Sequence, residues 1–277
     1  MKTKSIIAFC AVALMAMACS HGAKLERRAG SGREEAAQCS QAFEVKQLRA
    51  DEMSKAGNCS IRVAVTMDYP VSGPAPLVDS VRAAMARYAD VPVAVFADGP
   101  KAVACIQAGQ AASLADDAAA WDDDDSGFPA PTLESSYAMR LKVNVPKYLV
   151  YDMDFYIYAG GAHGISAGNS VTFVKPSGHR VTDFFAPADY ERVQQMVAQA
   201  LAQQYFKCTM SELPEKITCN VDDISVAGDN VSLSGTGVVF RYQPYEISYY
   251  AAGAPECEIP FGQIKQLLLP QVRQLVD

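Results

Sequence analysis

Three histidines occur in this 277-residue chain, and one of them stands where chemistry could be done. His163 lies in Phe155-Tyr156-Ile157-Tyr158-Ala159-Gly160-Gly161-Ala162-His163-Gly164, an alternating aromatic and aliphatic run that ends in a glycine cluster. An imidazole there could be a general base, a metal ligand or a contact for a bound molecule. Base catalysis also needs a nucleophile and an orienting group. No G-x-S-x-G is present, and the only other histidine of the folded part is His179, because His21 falls in a charged N-terminal stretch. A zinc site would require His163 and His179 to meet across a hairpin beside a carboxylate, and they lack the i, i+4 spacing of a helical pair. No C-x-x-C occurs, so neither a metal nor a cofactor is expected. Phosphate cradles are missing too, since Gly160 to Gly164 fits neither G-x-G-x-x-G nor the P-loop pattern.

The glycines themselves carry information. Gly160, Gly161 and Gly164 mark backbone that needs positive φ or the close approach of another group. His163 then has two readings. It hydrogen-bonds backbone and holds the turn, or it faces a binding groove. Tyr242, Tyr245, Tyr249 and Tyr250 are expected mostly as sheet packing. Any exposed subset would suit a protein or glycan interface, because tyrosine joins apolar area to a hydroxyl.

The positioning elements begin after an export signal. Lys2 and Lys4 precede an apolar run of 12 residues, Ile6 to Met17, too short for a permanent span. The run ends Ala16-Met17-Ala18-Cys19, small residues before a cysteine, as in a lipoprotein cleavage box with Ala16 in place of the preferred leucine. Lipidation of Cys19 and plain cleavage after Ala18 both remain open. Loss of residues 1–18 leaves 22 basic against 31 acidic side chains, a net charge of −9. That balance excludes nucleic acid and anionic lipid as electrostatic partners. Six further cysteines fit an oxidising compartment: Cys39, Cys59, Cys105, Cys208, Cys219 and Cys257. Cys208 with Cys219 is the expected pair, since a polar loop joins them, and Cys39 with Cys59 could link neighbouring strands. Buried free thiols are the alternative.

Residues 19–38 read as a flexible tether, 39–132 as an N-terminal sub-domain and 133–277 as a C-terminal one. Strands are expected at Phe43–Leu48 and Ile61–Met67, with a polar turn at Asp51–Asn58 and a proline loop at Tyr69–Pro76. Leu77–Ala89 and Ala104–Trp121 read as helices, with a short strand at Val91–Phe96 between them. Asp122 to Asp125 is a solvated acidic run, or a patch that steers a basic partner. Four strands follow as a meander: Tyr137–Val145, Tyr148–Tyr158, Ser170–Val174 and His179–Asp183. Then come a helix at Pro187–Phe206, strands at Val231–Leu233, Val238–Tyr242 and Glu256–Pro260, and a closing helix at Phe261–Val276 broken at Pro270. The fold class is α+β: an antiparallel sheet packed by helices, with two sub-domains in one compact ectodomain.

Two stretches carry a resemblance. Tyr156-Ile157-Tyr158-Ala159-Gly160-Gly161-Ala162-His163-Gly164 is similar to the Y-x-Y-x-G-G-A-H-G signature of the RsiV-like extracellular domain. Phe240 to Gly253, with its Pro244-Tyr245-Glu246-Ile247, resembles the second signature of that family. The resemblance spans about residues 133–277, with a weaker likeness over 40–132 to the domain that often precedes it. It implies a mixed α/β ectodomain. Relatives include lipoproteins, the outer part of a lysozyme-sensing anti-sigma factor and domains attached to a peptidoglycan deacetylase. No deacetylase module or sigma-binding segment accompanies these motifs here. The expectation is a non-enzymatic, lipid-anchored ectodomain of the cell envelope. Its expected ligand is a basic lysozyme-like protein or a cell-wall glycan, bound through Tyr158, Gly160, Gly161, His163, Gly164, Tyr242 and Tyr245. A cell-wall hydrolase or metalloenzyme using His163, or a purely structural lipoprotein, are the alternatives.

Overall fold

The computed structural model describes residues 42–121 and 129–277. The export signal, Cys19, the tether, Cys39 and the acidic run Asp122–Asp125 lie outside the described residues. The chain is α+β, with a five-stranded sheet, a three-stranded antiparallel sheet and helices packed on both. Among the described residues no helix is long and apolar enough to cross a membrane.

The chain enters through a long hairpin, β1 (Glu44–Ala56) and β2 (Cys59–Ser72). Gly57, at φ 53°, takes the positive-φ corner of its two-residue turn. The expected polar turn at Asp51–Asn58 is therefore mostly strand. Its polarity reflects an edge strand, where charges discourage pairing with another chain. The expected loop at Tyr69 also turns out to be strand as far as Ser72. Pro70 is tolerated because β3 stops pairing with β2 at Met67, so no partner there needs its missing N–H.

Two helices then cross over the sheet. In α1 (Ala75–Tyr88), Leu77, Val81 and Met85 are all fully buried, as their spacing predicts. The expected strand at Val91–Phe96 is a 3-10 turn, Val93–Ala97. Pro92 starts it, and Phe96 is buried with its carbonyl accepting the Tyr69 hydroxyl at 2.8 Å. Asp98 caps α2 (Gly99–Ala118) by accepting from the Lys101 N–H at 3.1 Å. This crossover returns the chain to run β3 (Thr132–Asn144) parallel to β2. The sheet is thus mixed at one pair. It continues antiparallel through β4 (Tyr148–Tyr158) and β5 (Ile165–Val174), in order β1-β2-β3-β4-β5. Segments on both sides of residue 132 share this sheet and the core beneath α1 and α2.

The expected fourth strand of the meander, His179–Asp183, makes a single bridge, Phe173 with Arg180. It cannot run on, because Phe184 and Phe185 turn into the second core. That core lies between the end of β4–β5, the helix α3 (Tyr190–Leu201) and the small sheet of β6 (Val231–Leu233), β7 (Gly237–Arg241) and β8 (Glu256–Pro260). α3 extends into a wider turn, Ala202–Phe206, and stops at Lys207, φ 54°. The closing segment is a helical turn at Phe261–Ile264, an extended break at Leu268–Leu269 where Leu268 bridges Phe185, and α4 (Pro270–Val276).

The expected Cys208–Cys219 disulfide is absent; both residues are free thiols. Each is held by its own anchor. The Cys208 N–H donates to the Ala202 carbonyl at 2.9 Å, while Thr218, beside Cys219, donates to Ile247 at 2.9 Å. Cys105 and Cys257 are free as well. Burial, and then the neighbouring Glu256 carboxylate, push the Cys257 thiol up to about 12. Alkylation of the unfolded protein without reductant should label Cys105, Cys208, Cys219 and Cys257, as read by mass spectrometry. Retention of a 208–219 linkage until reduction would contradict the structure. In the folded protein at neutral pH, Cys257 should stay unlabelled.

Candidate functional site

The two faces of the five-stranded sheet differ. One is covered by α1 and α2. On the other, β4 and β5 are partly covered by the small sheet, and a groove of about 350 Å³ opens beside it. Ser136, Ala138, Asp154, Tyr156, Ser166 and Gly168 form the strand side, and Arg241, Gln243, Pro244 and Ala254 the opposite wall.

An ion pair joins the walls. The Arg241 guanidinium donates to Asp154 at 2.6 Å, with the two side chains 20% and 32% exposed. Burial disfavours the charge on Arg241, but Asp154, Asp152 and Glu256 outweigh it and hold its pKa above the ordinary value. Gly168 makes room for this pair. A Cβ there would stand 2.5 Å from Asp154 Oδ1 and 2.8 Å from Arg241 Nη2. The Gln243 carboxamide accepts from the Gly168 N–H at 2.8 Å and donates to its carbonyl, filling both outward backbone positions of an edge strand. Higher on the same face, Lys142 reaches Asp152 at 3.0 Å and Glu256 at 3.9 Å.

At the end of β4 the glycine cluster has the conformation its composition implies. Gly160 and Gly161 have φ of 97° and 91°. A Cβ on Gly160 would lie 2.3 Å from the Trp121 ring, and one on Gly164 would lie 2.5 Å from the Tyr156 ring. The loop is therefore wedged between two aromatic side chains. Tyr158 donates to the Gly161 carbonyl at 3.0 Å. The Gly164 carbonyl accepts from His163 Nδ1 at 2.9 Å and from the Tyr250 hydroxyl at 2.7 Å. A carbonyl only accepts, so the proton of the imidazole sits on Nδ1. The His163 ring stacks on Tyr250 with centroids 3.8 Å apart, and Tyr245 lies 5.4 Å beyond. The ring thus bonds backbone and holds the turn, and it is exposed without lining the groove.

The structure brings together Tyr158, Gly160, Gly161, His163, Gly164 and Tyr245. Tyr242 does not join them. It is fully buried, its hydroxyl donates to Ser225 at 2.9 Å, and it belongs to the core under the small sheet. Tyr245 and Tyr249 are instead 63% and 61% exposed, where sheet packing is expected from the sequence. His163 and His179 do not converge. They flank opposite ends of β5, ten residues long, so roughly 30 Å of strand separates them. Among the described residues no cluster of three histidine, cysteine or acidic side chains could hold a metal. Arg241, Asp154 and Gln243 escape sequence reasoning. Asp154 carried a signal, as one of two acidic residues, with Asp152, inside an otherwise apolar and aromatic strand.

Asp154→Ala should destabilise the fold by about 1–3 kcal/mol, because it strands a mostly covered guanidinium. Asp154→Ala with Arg241→Met should recover part of that loss in denaturant melts. Gly160→Ala should cost more than Gly161→Ala. Both meet the positive-φ penalty of roughly 1–2 kcal/mol, but only the first collides with Trp121. Equal midpoints for the two would remove the wedge argument.

Residues 182–262 match the family described as "Protein of unknown function (DUF3298)". That segment contains α3, the small sheet and the tyrosine loop. No curated protein matches the chain. Among solved structures, a member of the DUF3298 family from Bacteroides fragilis aligns with a TM-score of 0.66 at 19% identity, covering 86% of this chain and 98% of that one. A DUF3298 family protein from Pseudomonas aeruginosa aligns with a TM-score of 0.53 at 14% identity, covering 84% and 98%. At these identities the likeness establishes a shared fold, and the matched segment places one wall of the groove within the DUF3298 region.

Proposed function

We propose that the protein is an exported, non-enzymatic binding module of the cell envelope, lipid-anchored through Cys19, whose ligand face is the groove and its row of aromatic rings. The ligand is a macromolecule of the envelope or its surroundings, a cell-wall component or a basic protein of the lysozyme kind. The mature charge of −9 favours encounter with the basic protein.

One observation carries this reading. Tyr245 has φ 70°, a left-handed conformation that an aromatic residue adopts at a cost of order 1 kcal/mol, and its ring is 63% exposed. Neither burial nor a favoured backbone explains an exposed ring held that way. Glycine would satisfy the turn better. A ring kept out of the core, beside Tyr250, His163 and Tyr249, offers rigid apolar area with polar edges, the chemistry of an interface. The geometry lends nothing to the hydrolase alternative, since His163 has no second histidine, nucleophile or orienting carboxylate bonded to it among the described residues.

The test is capture from host secretions and from purified peptidoglycan by the full-length protein in detergent, at low and high salt. The comparison variant is Tyr245→Gly. It should keep or raise stability by up to about 1 kcal/mol, because it relieves the backbone, while retention falls at least roughly tenfold. An empty eluate for wild type, or equal retention by the variant, would leave a structural role instead.

A further inference from the structure

The open face extends beyond the groove, and its charges are unevenly matched. Register places Asp51, Ala64, Ser136 and Tyr156 in one row across the sheet, and Arg49, Thr66, Ala138 and Asp154 in the next. Just beyond, where β2 and β3 no longer pair, Gln47 lies beside Asp68 and Arg140 beside Asp152. The middle is floored by small side chains, so it is shallow.

Each aspartate on this face is engaged within the protein. Asp51 takes both arms of Arg62 at 2.9 and 2.7 Å, Asp152 holds Lys142, and Asp154 holds Arg241. Asp68 accepts the Leu141 N–H at 3.0 Å and the Gln47 amide at 3.3 Å. Arg49 and Arg140 are exposed and have no hydrogen-bond or ion-pair partner among the described residues. This face therefore carries both signs, with Asp68 met only by neutral amides and Glu134 4.0 Å from Arg62, and its two guanidinium groups without an internal partner among the described residues are Arg49 and Arg140.

We propose that this face binds a carboxylate-bearing glycan chain, with sugar rings against Tyr245 and Tyr250 and carboxylates against Arg140 and Arg49. This rests on the binding-module reading and selects the ligand class for it. A pyranose ring presents C–H faces that pack on tyrosine rings, and arginine matches a carboxylate in a planar, two-pronged contact. The five strands span about 19 Å, which suits an extended chain of several rings better than a single sugar. A basic protein would meet unpaired guanidinium groups here, and like charges oppose docking.

The probes are peptide-free oligomers of alternating N-acetylglucosamine and N-acetylmuramic acid, and chitin oligomers of equal length, which lack the carboxylates. Calorimetric titration of the full-length protein in detergent should give at least a tenfold preference for the carboxylated oligomer, weakening with salt. Arg49→Ala with Arg140→Ala should abolish the preference, reduce affinity roughly tenfold or more, and leave the melting temperature unchanged, since neither arginine has an internal partner. Equal binding of both oligomers, or a preference that survives the double variant, would overturn the proposal. Capture of a basic protein with no glycan binding would also overturn it while leaving the binding-module reading intact. Absence of any ligand would remove both.

Discussion

The contact of Arg241 with Asp154 above Gly168 is the joint on which the candidate site depends. It ties the small sheet to β4, the fourth strand of the large one, and the loop from Tyr242 to Gly253 begins directly after it. Exposed pairs of this kind contribute little, usually under 1 kcal/mol. This one is mostly covered, and its geometry is fixed from three sides. Gly168 leaves the space, Gln243 clamps the strand beneath, and the carboxylates of Asp152 and Glu256 reinforce the charge that burial opposes. The gain is placement more than energy. With Arg241 pinned, the tyrosine loop meets the glycine cluster at the Gly164 carbonyl, where His163 and Tyr250 both donate.

The edges of both sheets follow one rule. An edge strand offers unpaired N–H and C=O groups that invite another chain. On β5, the Gln243 carboxamide occupies the pair at Gly168. On β8, the Gln204 carboxamide does the same at Glu258, with bonds of 2.8 and 2.9 Å. A primary amide has the donor and acceptor of a peptide group, so each glutamine stands in for a missing strand. β1 is protected differently, by charges along its length. With these edges occupied, the surface left open is the sheet face and the loops at its rim.

Local features of the sequence carried far and non-local ones did not. The glycine cluster was legible because three glycines in five residues have few other uses, and α1 because Leu77, Val81 and Met85 repeat at helical spacing. The polar half of β1 read as a turn, because an edge strand wet on both faces lacks alternation. The parallel pairing of β2 with β3 was hidden, since a two-helix crossover gives no local signal of which strand it returns to. Asp154 and Arg241 are 87 residues apart, and nothing in either neighbourhood names the other. Tyr242 and Tyr245 look alike in the sequence and differ in fate. Tyr242 directly follows β7 and drops into the core, while Tyr245 lies three residues on in a turn that forces positive φ.

Net charge was the least informative quantity for the site. A value of −7 pointed to basic partners, yet it sums over the whole surface. Screening confines each charge to about 8 Å at physiological salt, so a bound molecule feels the face it touches. On the open face Asp51, Asp152 and Asp154 are paired with internal cations, while Asp68 accepts from neutral amides. What remains outward is the pair of guanidinium groups and a rim of tyrosines. Net charge and the charges of one face are therefore separate quantities, set by different residues, and only the second is fixed by the register of the sheet.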